Sequence, residues 1–436
     1  MPEIDWDAIR AEALDIFQRY IQIDTSNPPG NEAPAARFLG ALIEAEGIET
    51  EYIETVPGRE VVWARIAGDG SKGALMLCNH LDTVPVEAEY WDYPAFEGVV
   101  EDGRVYGRGA IDMKGAGVMQ LIAFLLAKRQ GLPLTRDLIF CGVPDEETGG
   151  SLGMGWLCDH RPNLVDVEFE INEGGGGSSN FAGQETQLFG VATNEKQICW
   201  LRITAVGRPG HGSVPHDDNS ALRLMRTLLR LAEWDRGVTY TADSRAYVER
   251  LVDAGLMASV EEDAVRAVMA ASPQMGARFM NTLNVTMLDA GIKANVIPAR
   301  SSAVIDCRLL PGQTPDAWRD EVAAFIDDPA IEIEFESGPE ELESPVPVDW
   351  DTELYRAIEG VVKDAMEEAV VVPSMTVGGT DNRFLRQRGI PAYGFIPALI
   401  SPEEQAGFHA NNEFLTVDNL NMGCELMYEI VRRMCV

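Results

Sequence analysis

Acidic residues and histidines stand directly after several short apolar segments of this sequence, and these residue types serve both as metal ligands and as acid–base catalysts. The residues, each with the apolar segment that precedes it, are His80 and Asp82 (74–78), Glu146 and Glu147 (138–143), Glu173 (167–171) and, after an intervening loop, His409 (393–396). In open α/β sheets, ligands bind beyond the carboxyl ends of the strands. Carboxylates that converge there need a cation, because an unpaired buried charge is costly. The pattern therefore predicts a metal site at one edge of a sheet.

The motif His80-Leu81-Asp82 has the spacing of a metal ligand and a supporting carboxylate. One ring nitrogen of a histidine can ligate a metal ion while the other N–H donates to a carboxylate, which sets the tautomer and the ring orientation. The alternative is a strand-end histidine that hydrogen bonds to a loop. For an isolated motif of this kind, the alternative is the commoner one.

Glu146 and Glu147 are adjacent carboxylates at the tip of an apolar segment, so their side chains can point to different sides. One of them could ligate a metal ion while the other accepts a proton from water. In a protein this acidic, a solvated acidic turn is an equal alternative.

Asp112 and His211 stand in glycine-containing motifs. Asp112 lies in the segment 107–115, just before a long apolar run, where an aspartate is commonly a helix N-cap. The Gly-x-Gly of this segment is not followed by Gly-Lys-Ser or Gly-Lys-Thr, so phosphate binding is only weakly indicated. His211 lies in the segment 207–213, and an isolated histidine of this kind is more often a surface loop residue.

Two kinds of segment must position these residues. Up to about residue 194, amphipathic helices alternate with short strands, which is typical of α/β folds. From about 195 to 340, strands that alternate apolar and polar residues are interspersed with helices and predict a small α+β domain. After a proline-containing linker at 337–348, α/β character returns. We therefore predict an α/β domain, formed by residues 1–194 and 341–436, that is interrupted by an inserted domain at 195–340.

The individual elements follow from hydrophobic periodicity and turn signals. The predicted helices cover about 5–20, 31–46, 117–129, 220–232, 260–271, 315–326, 351–369 and a closing segment from 417, and the predicted strands cover 74–78, 138–143, 167–171, 199–206, 301–309, 331–335 and 393–396. Residues 180–193, interpreted as a loop, and residues 239–276 are the expected elements of substrate specificity.

The chain is strongly acidic. Its 436 residues include 35 Lys and Arg against 70 Asp and Glu, which gives a formal net charge of −35, and 46% of the residues are hydrophobic. This composition is globular, and the length is sufficient for two or three domains. The negative field would repel phosphate backbones and anionic lipid, so we expect no nucleic-acid partner and no membrane association.

The seven cysteines are scattered, odd in number and free of any Cys-x-x-Cys pair. This pattern predicts reduced core thiols rather than a disulfide framework, and it favours a cytoplasmic protein. The first residues lack the basic and apolar regions of a signal peptide, and no apolar run reaches the length of a membrane span.

Nine motifs, in this order, resemble those of the M20 family of co-catalytic zinc hydrolases, which includes aminoacylase-1, glutamate carboxypeptidase, acetylornithine deacetylase and succinyl-diaminopimelate desuccinylase. They are NHLDTVPV (Asn79–Val86), GRGAIDMKG (Gly107–Gly115), PDEETGG (Pro144–Gly150), NEGG (Asn172–Gly175), GRPGHGS (Gly207–Ser213), NVIPA (Asn295–Ala299), DCRLLPG (Asp306–Gly312), GGTDNRF (Gly378–Phe384) and HANNEF (His409–Phe414). The resemblance covers nearly the whole chain. It implies a di-zinc exopeptidase-type catalytic domain, with a mixed sheet flanked by helices, interrupted by an α+β lid and dimerisation domain.

The resemblance also implies a set of metal ligands. Asp112 would bridge two Zn²⁺ ions, His80 and Glu173 would complete one site, and Glu147 with His409 would complete the other. Ligands of these types would also accept Co²⁺ or Mn²⁺.

The same resemblance assigns catalytic roles. Asp82 would orient His80, and Glu146 would act as the general acid and base. His211 would polarise the scissile carbonyl, in relatives often from the partner subunit of a dimer.

Four positions match those that bind a substrate carboxylate in relatives, namely Asn295, Arg308, Gly379 and Thr380. A guanidinium suits this task because its planar fork binds both carboxylate oxygens. The alternative for Arg308 is charge pairing with Asp306 on an exposed strand face, which the spacing alone does not exclude.

The implied function is hydrolysis of the amide bond of an N-acyl amino acid, or of a C-terminal peptide bond, in a homodimer formed through the lid domain. A biosynthetic deacylase of the acetylornithine or succinyl-diaminopimelate type is the alternative. A non-catalytic member of the family would lack a ligand or the base, whereas every expected position is filled here. Salt adaptation alone gives no reason for the positions of His80, His211 and His409.

Overall fold

Two β-sheets organise the part of the chain that the computed structural model describes, which comprises residues 3–336, 338, 346 and 348–436. The strands are β1 (Thr50–Val56), β2 (Arg59–Ile66), β3 (Leu75–His80), β4 (Val99–Glu101), β5 (Arg104–Tyr106), β6 (Leu138–Val143), β7 (Phe169–Phe181), β8 (Gln184–Glu195), β9 (Gln197–Ile198), β10 (Leu201–Val206), β11 (Gly210–His211), β12 (Thr282–Ala290), β13 (Val296–Ile297), β14 (Arg300–Leu309), β15 (Ile331–Phe335), β16 (Val370–Thr376), β17 (Ala392–Ile400) and β18 (Phe414–Thr416). The helices are α1 (Trp6–Ile21), α2 (Ala33–Ala45), α3 (Lys114–Arg129), α4 (Met154–His160), α5 (Ser220–Ala232), α6 (Ala242–Asp253), α7 (Glu262–Ala271), α8 (Pro273–Gly276), α9 (Pro315–Ile326), α10 (Glu353–Ala365), α11 (Asn382–Arg386), α12 (Pro402–Gln405) and α13 (Val417–Cys435).

The larger sheet has eight strands in the order β1-β2-β6-β3-β7-β17-β8-β16. Its centre is parallel, since β3 pairs in parallel with both β6 and β7, and β7 pairs in parallel with β17. β1 and β2 form an antiparallel hairpin at one edge. The sheet is therefore mixed, as predicted, and it is built from strands that both precede and follow the second sheet in the chain.

Strand β3 shows why the centre of this sheet is buried on both faces. Leu75 and Leu77 pack into a core with α1, α3 and α13, whereas Met76 and Cys78 pack into a second core with α4. Successive side chains of a strand point to opposite faces, so an unbroken apolar run is stable only between two layers of helices.

Helix α3 packs against β3, α1 and α13 in the first of these cores. Glycine at position 117 favours its close approach to β3, because a Cβ there would lie 3.0 Å from Oδ1 of Asn79, which is tighter than an ordinary contact. The helix begins two residues after Asp112, so this packing places Asp112 beside the last residues of β3.

The second sheet is antiparallel, in the order β12-β14-β10-β15, with β9 paired to β14. Its inner face buries Leu201, Ile203 and Ala205 against α5 and α9, with Trp318 in the centre of that core. The chain enters this sheet directly after β8 and rejoins the larger sheet at β16. The predicted start of the inserted domain at residue 195 coincides with the last residue of β8, whereas its predicted end at residue 340 lies outside the described residues.

The prediction of a loop over residues 180–193 is wrong, because β7 and β8 form an antiparallel hairpin there. Strand β7 contains the run Gly174–Gly177, and glycine has a low propensity for strands, so the sequence pattern did not predict the hairpin. Tertiary packing explains it, since a Cβ at Gly175 would overlap the main-chain oxygens of Gly190 and Gly394 on the neighbouring strands. The other expected specificity segment, 239–276, contains helices α6 to α8.

All seven cysteines are free and buried, which confirms the prediction of reduced core thiols. Among the described residues, no helix has both the length and the apolar character that crossing a membrane requires.

Candidate metal centre

Five imidazole and carboxylate side chains form two overlapping clusters that share Asp112. The first cluster contains His80, Asp112 and Glu173, and the second contains Asp112, Glu147 and His409; within each, the potential ligand atoms lie within 4.8 Å of one another. Asp112 is common to both, with Oδ1 2.9 Å from Nε2 of His80 and Oδ2 2.9 Å from Nε2 of His409. Each oxygen of one carboxylate thus faces a different cluster.

Neighbouring parallel strands place the first cluster. His80 is the last residue of β3, and Glu173 lies in β7, two residues beyond the point where its pairing with β3 ends at Leu77 and Ile171. Glu173 is therefore inside a long strand rather than after a strand end, because β7 continues as the hairpin with β8. The Glu173 carboxylate lies 3.7 Å from Nε2 of His80.

Loops place the rest of the second cluster. Glu147 lies in a single 3₁₀ turn, Glu146–Thr148, that follows β6, the other parallel neighbour of β3. His409 lies between α12 and β18 and comes within 3.4 Å of the Glu147 carboxylate. The His409 side chain is 54% exposed, whereas that of His80 is 1% exposed.

Asp82 supports the clusters in a different way from the one expected. The Nδ1 atom of His80 lies 3.0 Å from the main-chain oxygen of Asp82, and the Asp82 carboxylate is farther away, at 3.7 Å. That carboxylate instead accepts the main-chain N–H groups of Glu146 (3.2 Å) and Glu147 (3.1 Å) and the side-chain amide of Asn27 (2.8 Å). Asp82 therefore orients His80 through its carbonyl and holds the turn after β6 through its carboxylate.

The N-cap interpretation of Asp112 is wrong, because α3 begins at Lys114 with Met113 in the cap position. The segment before α3 is instead held by Glu413, a fully buried residue that the sequence analysis missed. Its carboxylate accepts the main-chain N–H groups of Gly109 (3.1 Å), Ile111 (2.7 Å) and Asp112 (3.2 Å). In the sequence, the only signal was an acidic residue four positions after His409.

In the absence of a cation, burial and mutual repulsion raise the pKa values of the carboxyl groups in and beside the clusters. Burial raises the pKa of Glu146 well above its usual range, and the nearby Glu173 carboxylate raises it further. Burial and the Asp112 carboxylate raise the pKa of Glu173 to about 7. Burial also raises the pKa of Glu147, although its hydrogen bond with His409 opposes the shift.

The pKa values of the two histidines are also raised, which for a histidine favours the charged form. Burial opposes protonation of His80, yet the Glu173, Asp112 and Asp82 groups raise its pKa well above the ordinary value. Hydrogen bonds with Asp112 and Glu147 raise the pKa of His409 to about 10. Two imidazoles and three carboxylates that compete for protons in this way form a ligand set that fits divalent cations of the zinc type, which take the place of those protons.

His211 and Asn295 lie apart from these clusters but close to each other. The short strands β11 and β13 pair antiparallel, and the N–H of Gly212 donates to the main-chain oxygen of Asn295 (2.9 Å). Both His211 and Asn295 are exposed. The N–H of Ser213 donates to Nδ1 of His211 (3.2 Å), so Nε2 is the ring nitrogen that takes no part in this contact.

Arg308 is paired with Asp306 in this conformation, with Nε–Oδ1 at 2.6 Å and Nη2–Oδ2 at 3.0 Å. Charge pairing, the alternative at this position, is thus what the structure contains. Arg308 is the register partner of Ile198, whose side chain lies beside Gly379, so strand β9 lies between the two candidate substrate positions.

Thr380 is likewise engaged within the chain. Its main-chain N–H and its hydroxyl both donate to Glu195, at 3.1 and 2.6 Å. Among the described residues, neither cluster of potential metal ligands includes any of the four candidate substrate residues or His211.

Comparison with known proteins agrees with this geometry. The profile of Peptidase family M20/M25/M40 matches residues 76–433. Aminoacylase-1 of Sus scrofa is 30% identical over 395 residues, which are 89% of this chain and 88% of that protein.

Two solved structures share the fold. An M20-family metallo-carboxypeptidase from Sulfolobus solfataricus superposes with a TM-score of 0.71 at 20% identity, covering 97% of this chain and 99% of that chain. A dinuclear metal-binding peptidase of the M20 family from Bacillus subtilis superposes with a TM-score of 0.62 at 14% identity, covering 98% of both chains. With its fold, its motifs and 358 residues matched by one profile, the chain belongs to peptidase family M20/M25/M40.

Proposed function

We propose that this protein is a metal-dependent hydrolase that cleaves the amide bond of N-acyl amino acids or C-terminal peptide bonds. The observation that carries the proposal is the position of Asp112, whose two carboxylate oxygens face two separate groups of imidazole and carboxylate ligands. An arrangement of this kind suits a pair of divalent cations that share one ligand. Two Zn²⁺ ions are the proposed cofactors, and the ligand types would also accept Co²⁺ or Mn²⁺.

His80, Asp112 and Glu173 would hold one ion, and Asp112, Glu147 and His409 would hold the other. When bound, such ions supply Lewis-acid activation of water and of the scissile carbonyl. The neighbouring turn leaves Glu146 partly accessible and outside both ligand clusters. A base in that position is able to take a proton from the attacking water.

Glu146 is the proposed general base, and afterwards the acid that protonates the leaving amine. Burial and the neighbouring carboxylates raise its pKa, which brings proton transfer to and from this group closer to neutral pH. Its main-chain N–H is held by Asp82, so the direction of the Glu146 side chain depends on the residue that also orients His80.

His211 is the proposed donor to the developing oxyanion, through Nε2, which the Ser213 contact leaves available. Asn295, Arg308, Gly379 and Thr380 are proposed to bind the α-carboxylate of the substrate. Arg308 would exchange its pairing with Asp306 for the substrate, because both partners offer it a planar carboxylate.

The substrate class rests on Arg308 and on the similarity to aminoacylase-1 and to a metallo-carboxypeptidase. A biosynthetic deacylase acting on acetylornithine-type or succinyl-diaminopimelate-type substrates is the second candidate. Metal analysis joined to a panel of N-acyl amino acids, dipeptides and these two substrates tests both, with amine release as the readout. If the fully metallated protein hydrolyses no amide in the panel, the proposal is wrong.

We also propose that the segment 195–340 is a lid that forms a homodimer. Edge strand β12 exposes Met287 and Leu288 at 62% and 66%, and α5 exposes Leu229 at 64%. Exposed large apolar side chains on and beside an edge strand are common at association sites. Light scattering of the wild type and of a Leu229→Glu, Met287→Lys variant tests this: we expect a dimer that the two substitutions convert to a monomer.

A further inference from the structure

The turn that carries Glu146 and Glu147 starts with an unusual backbone conformation. Asp145 has φ 83° and ψ 2°, which is the left-handed region. Residues other than glycine rarely adopt it because their Cβ clashes with the backbone there, although aspartate tolerates it better than most. The surrounding contacts must therefore compensate for this conformation.

The Asp145 carboxylate makes those contacts. Oδ1 accepts Nη1 of Arg59 at 2.8 Å and the hydroxyl of Thr148 at 2.7 Å, and Oδ2 accepts the main-chain N–H of Leu152 at 2.8 Å. The Asp145 main-chain oxygen accepts the N–H of Gly150 at 2.7 Å. One buried side chain thus connects both ends of the turn to a guanidinium on another strand.

Arg59 is itself fixed on its other side. Its Nε and Nη2 atoms donate to the Glu32 carboxylate at 2.9 and 2.5 Å, and all three charged side chains are buried. Arg59 is the first residue of β2, whose later residues pair with β6, the strand that leads into the turn. The Arg59 guanidinium therefore fixes the distance between the segment before α2 and the turn after β6.

A buried ionic triad of this kind contributes little to stability. The cost of removing three charges from water offsets most of their attraction, so apolar side chains of similar volume would often be as stable. Unlike apolar residues, the triad fixes the relative orientation of its parts, because the planar guanidinium donates hydrogen bonds in fixed directions to two carboxylates.

We propose that Arg59 and Asp145 are positioning residues, which hold the turn so that the Glu147 carboxylate reaches the second ligand cluster and the Glu146 carboxylate faces the reacting water. This inference deepens the proposed function and rests on it for the role of Glu146. The placement of Glu147 in the second cluster does not depend on the reaction.

The test compares Arg59→Gln, Arg59→Lys and Asp145→Gly with a matched control. Arg136 is a fully buried arginine that also pairs with two carboxylates, Glu168 and Glu353, but it precedes β6 and lies at the opposite end of that strand from the turn. Arg136→Gln removes the ionic contacts of an equally buried guanidinium far from the clusters, with partners that are 44% and 42% exposed. For each variant, kcat and KM for an N-acyl amino acid, the affinity for the two Co²⁺ ions and thermal unfolding are measured.

For Arg59→Gln and Asp145→Gly we expect kcat about 10–100-fold lower, with KM within about threefold, and the second Co²⁺ ion bound about 10-fold more weakly. Arg59→Lys, which keeps the charge but cannot span both carboxylates, should lie between these variants and the wild type. Arg136→Gln should lower the unfolding temperature without changing kcat or Co²⁺ affinity.

Asp145→Gly removes the carboxylate contacts but keeps the left-handed backbone conformation, because glycine adopts that region freely. Wild-type kcat and Co²⁺ affinity in that variant, or equal losses in Arg136→Gln, would overturn the inference. If the wild type hydrolyses no amide but Arg59→Lys and Asp145→Gly still weaken the second Co²⁺ ion, the proposed function is wrong and the positioning role stands.

Discussion

The side chains grouped around Asp112 and the candidate substrate residues on the second sheet differ in how they are held. Around Asp112, potential ligands from five separate segments form two clusters, within each of which the ligand atoms lie within 4.8 Å of one another, supported by buried carboxylates such as Glu413. On the second sheet, His211 and Asn295 are exposed, and Arg308 is paired with its neighbour Asp306.

This difference indicates a division of labour in the proposed enzyme. Ligands for small cations must be placed to within tenths of an ångström before the ions arrive, and a rigid sheet edge provides that. Residues that contact the substrate are better placed on a segment that approaches after binding, since closure then excludes water. Under the proposed mechanism, the first group works within one chain, whereas the second needs closure or a second subunit.

The largest expected effect concerns the base on the rigid side. Glu146→Gln should lower kcat by about 10²–10⁴-fold while leaving the metal content unchanged, because the amide cannot accept the proton and Glu146 lies outside both ligand clusters. Steady-state kinetics and metal analysis of the same preparation measure both. Glu89→Gln, on an exposed neighbouring segment, is the control. A near-normal kcat in Glu146→Gln would refute the assignment.

His211 on the second sheet should have the next largest effect. His211→Ala should lower kcat by about 10²–10³-fold, which is typical for loss of one oxyanion donor. Mixing this variant with Glu146→Gln decides which subunit supplies the histidine. If His211 acts in the partner, mixed dimers contain one intact site and activity returns; if it acts in its own chain, both sites stay defective and activity remains low.

Arg308 should affect binding more than turnover. Arg308→Gln should raise KM for N-acyl amino acids by about 10–100-fold, the equivalent of about 1.5–3 kcal/mol for a charged hydrogen bond. Substrates whose carboxylate is amidated should respond weakly. Arg300 lies on the same strand as Arg308 and forms an exposed ion pair with Glu332. Arg300→Gln removes that ion pair and should leave KM unchanged. Equal KM changes for both substrates would contradict the role of Arg308.

The smallest effect is on the stability of the metal-free protein. The pKa of Glu173 is raised to about 7 in the folded state from 4.5, so the folded protein binds this proton more tightly than the unfolded chain does. The resulting stabilisation is complete below about pH 4.5 and is lost as pH rises through 7. Chelator-treated protein should therefore be about 1–3 kcal/mol more stable at pH 5 than at pH 8.

Thermal unfolding of wild type and Glu173→Gln across that range tests this prediction. The variant should show a flatter pH profile, because it lacks the titrating carboxylate. Protein loaded with Zn²⁺ should show the opposite trend, since the ions bind deprotonated ligands. A wild-type profile that is unchanged by the substitution would contradict the prediction.

Local sequence patterns predicted much of the fold. The bounds of Leu138–Val143, Ser220–Ala232, Pro315–Ile326 and Ile331–Phe335 agree with the structure to the residue. These elements have clear periodicity or clear caps, such as Asn219, whose side chain accepts the N–H groups of the first turn of α5.

Other elements have no such signal. The patterns predict no strand over β1, β2, β8, β12 or β16, and no helix over α6. β1 is rich in polar residues, and β8 is stabilised by its neighbours rather than by its own composition, since Gly190 and Ala192 pack against the glycine run of β7. Strand formation at such positions depends on cross-strand packing, which is a property of the fold.

The sequence by itself determined the candidate metal ligands, because histidines and carboxylates follow apolar strands at one sheet edge and the motif resemblance adds Asp112 to them. Only the tertiary structure decided how these side chains are oriented. The contacts of Asp145 with Arg59 and of Gly109 with Glu413 join residues 86 and 304 positions apart. Periodicity reports which face of an element is buried, but it carries no information on which distant side chain fills the space against that face. For that reason candidate ligands could be proposed from the sequence, whereas the residues that hold them in place could not.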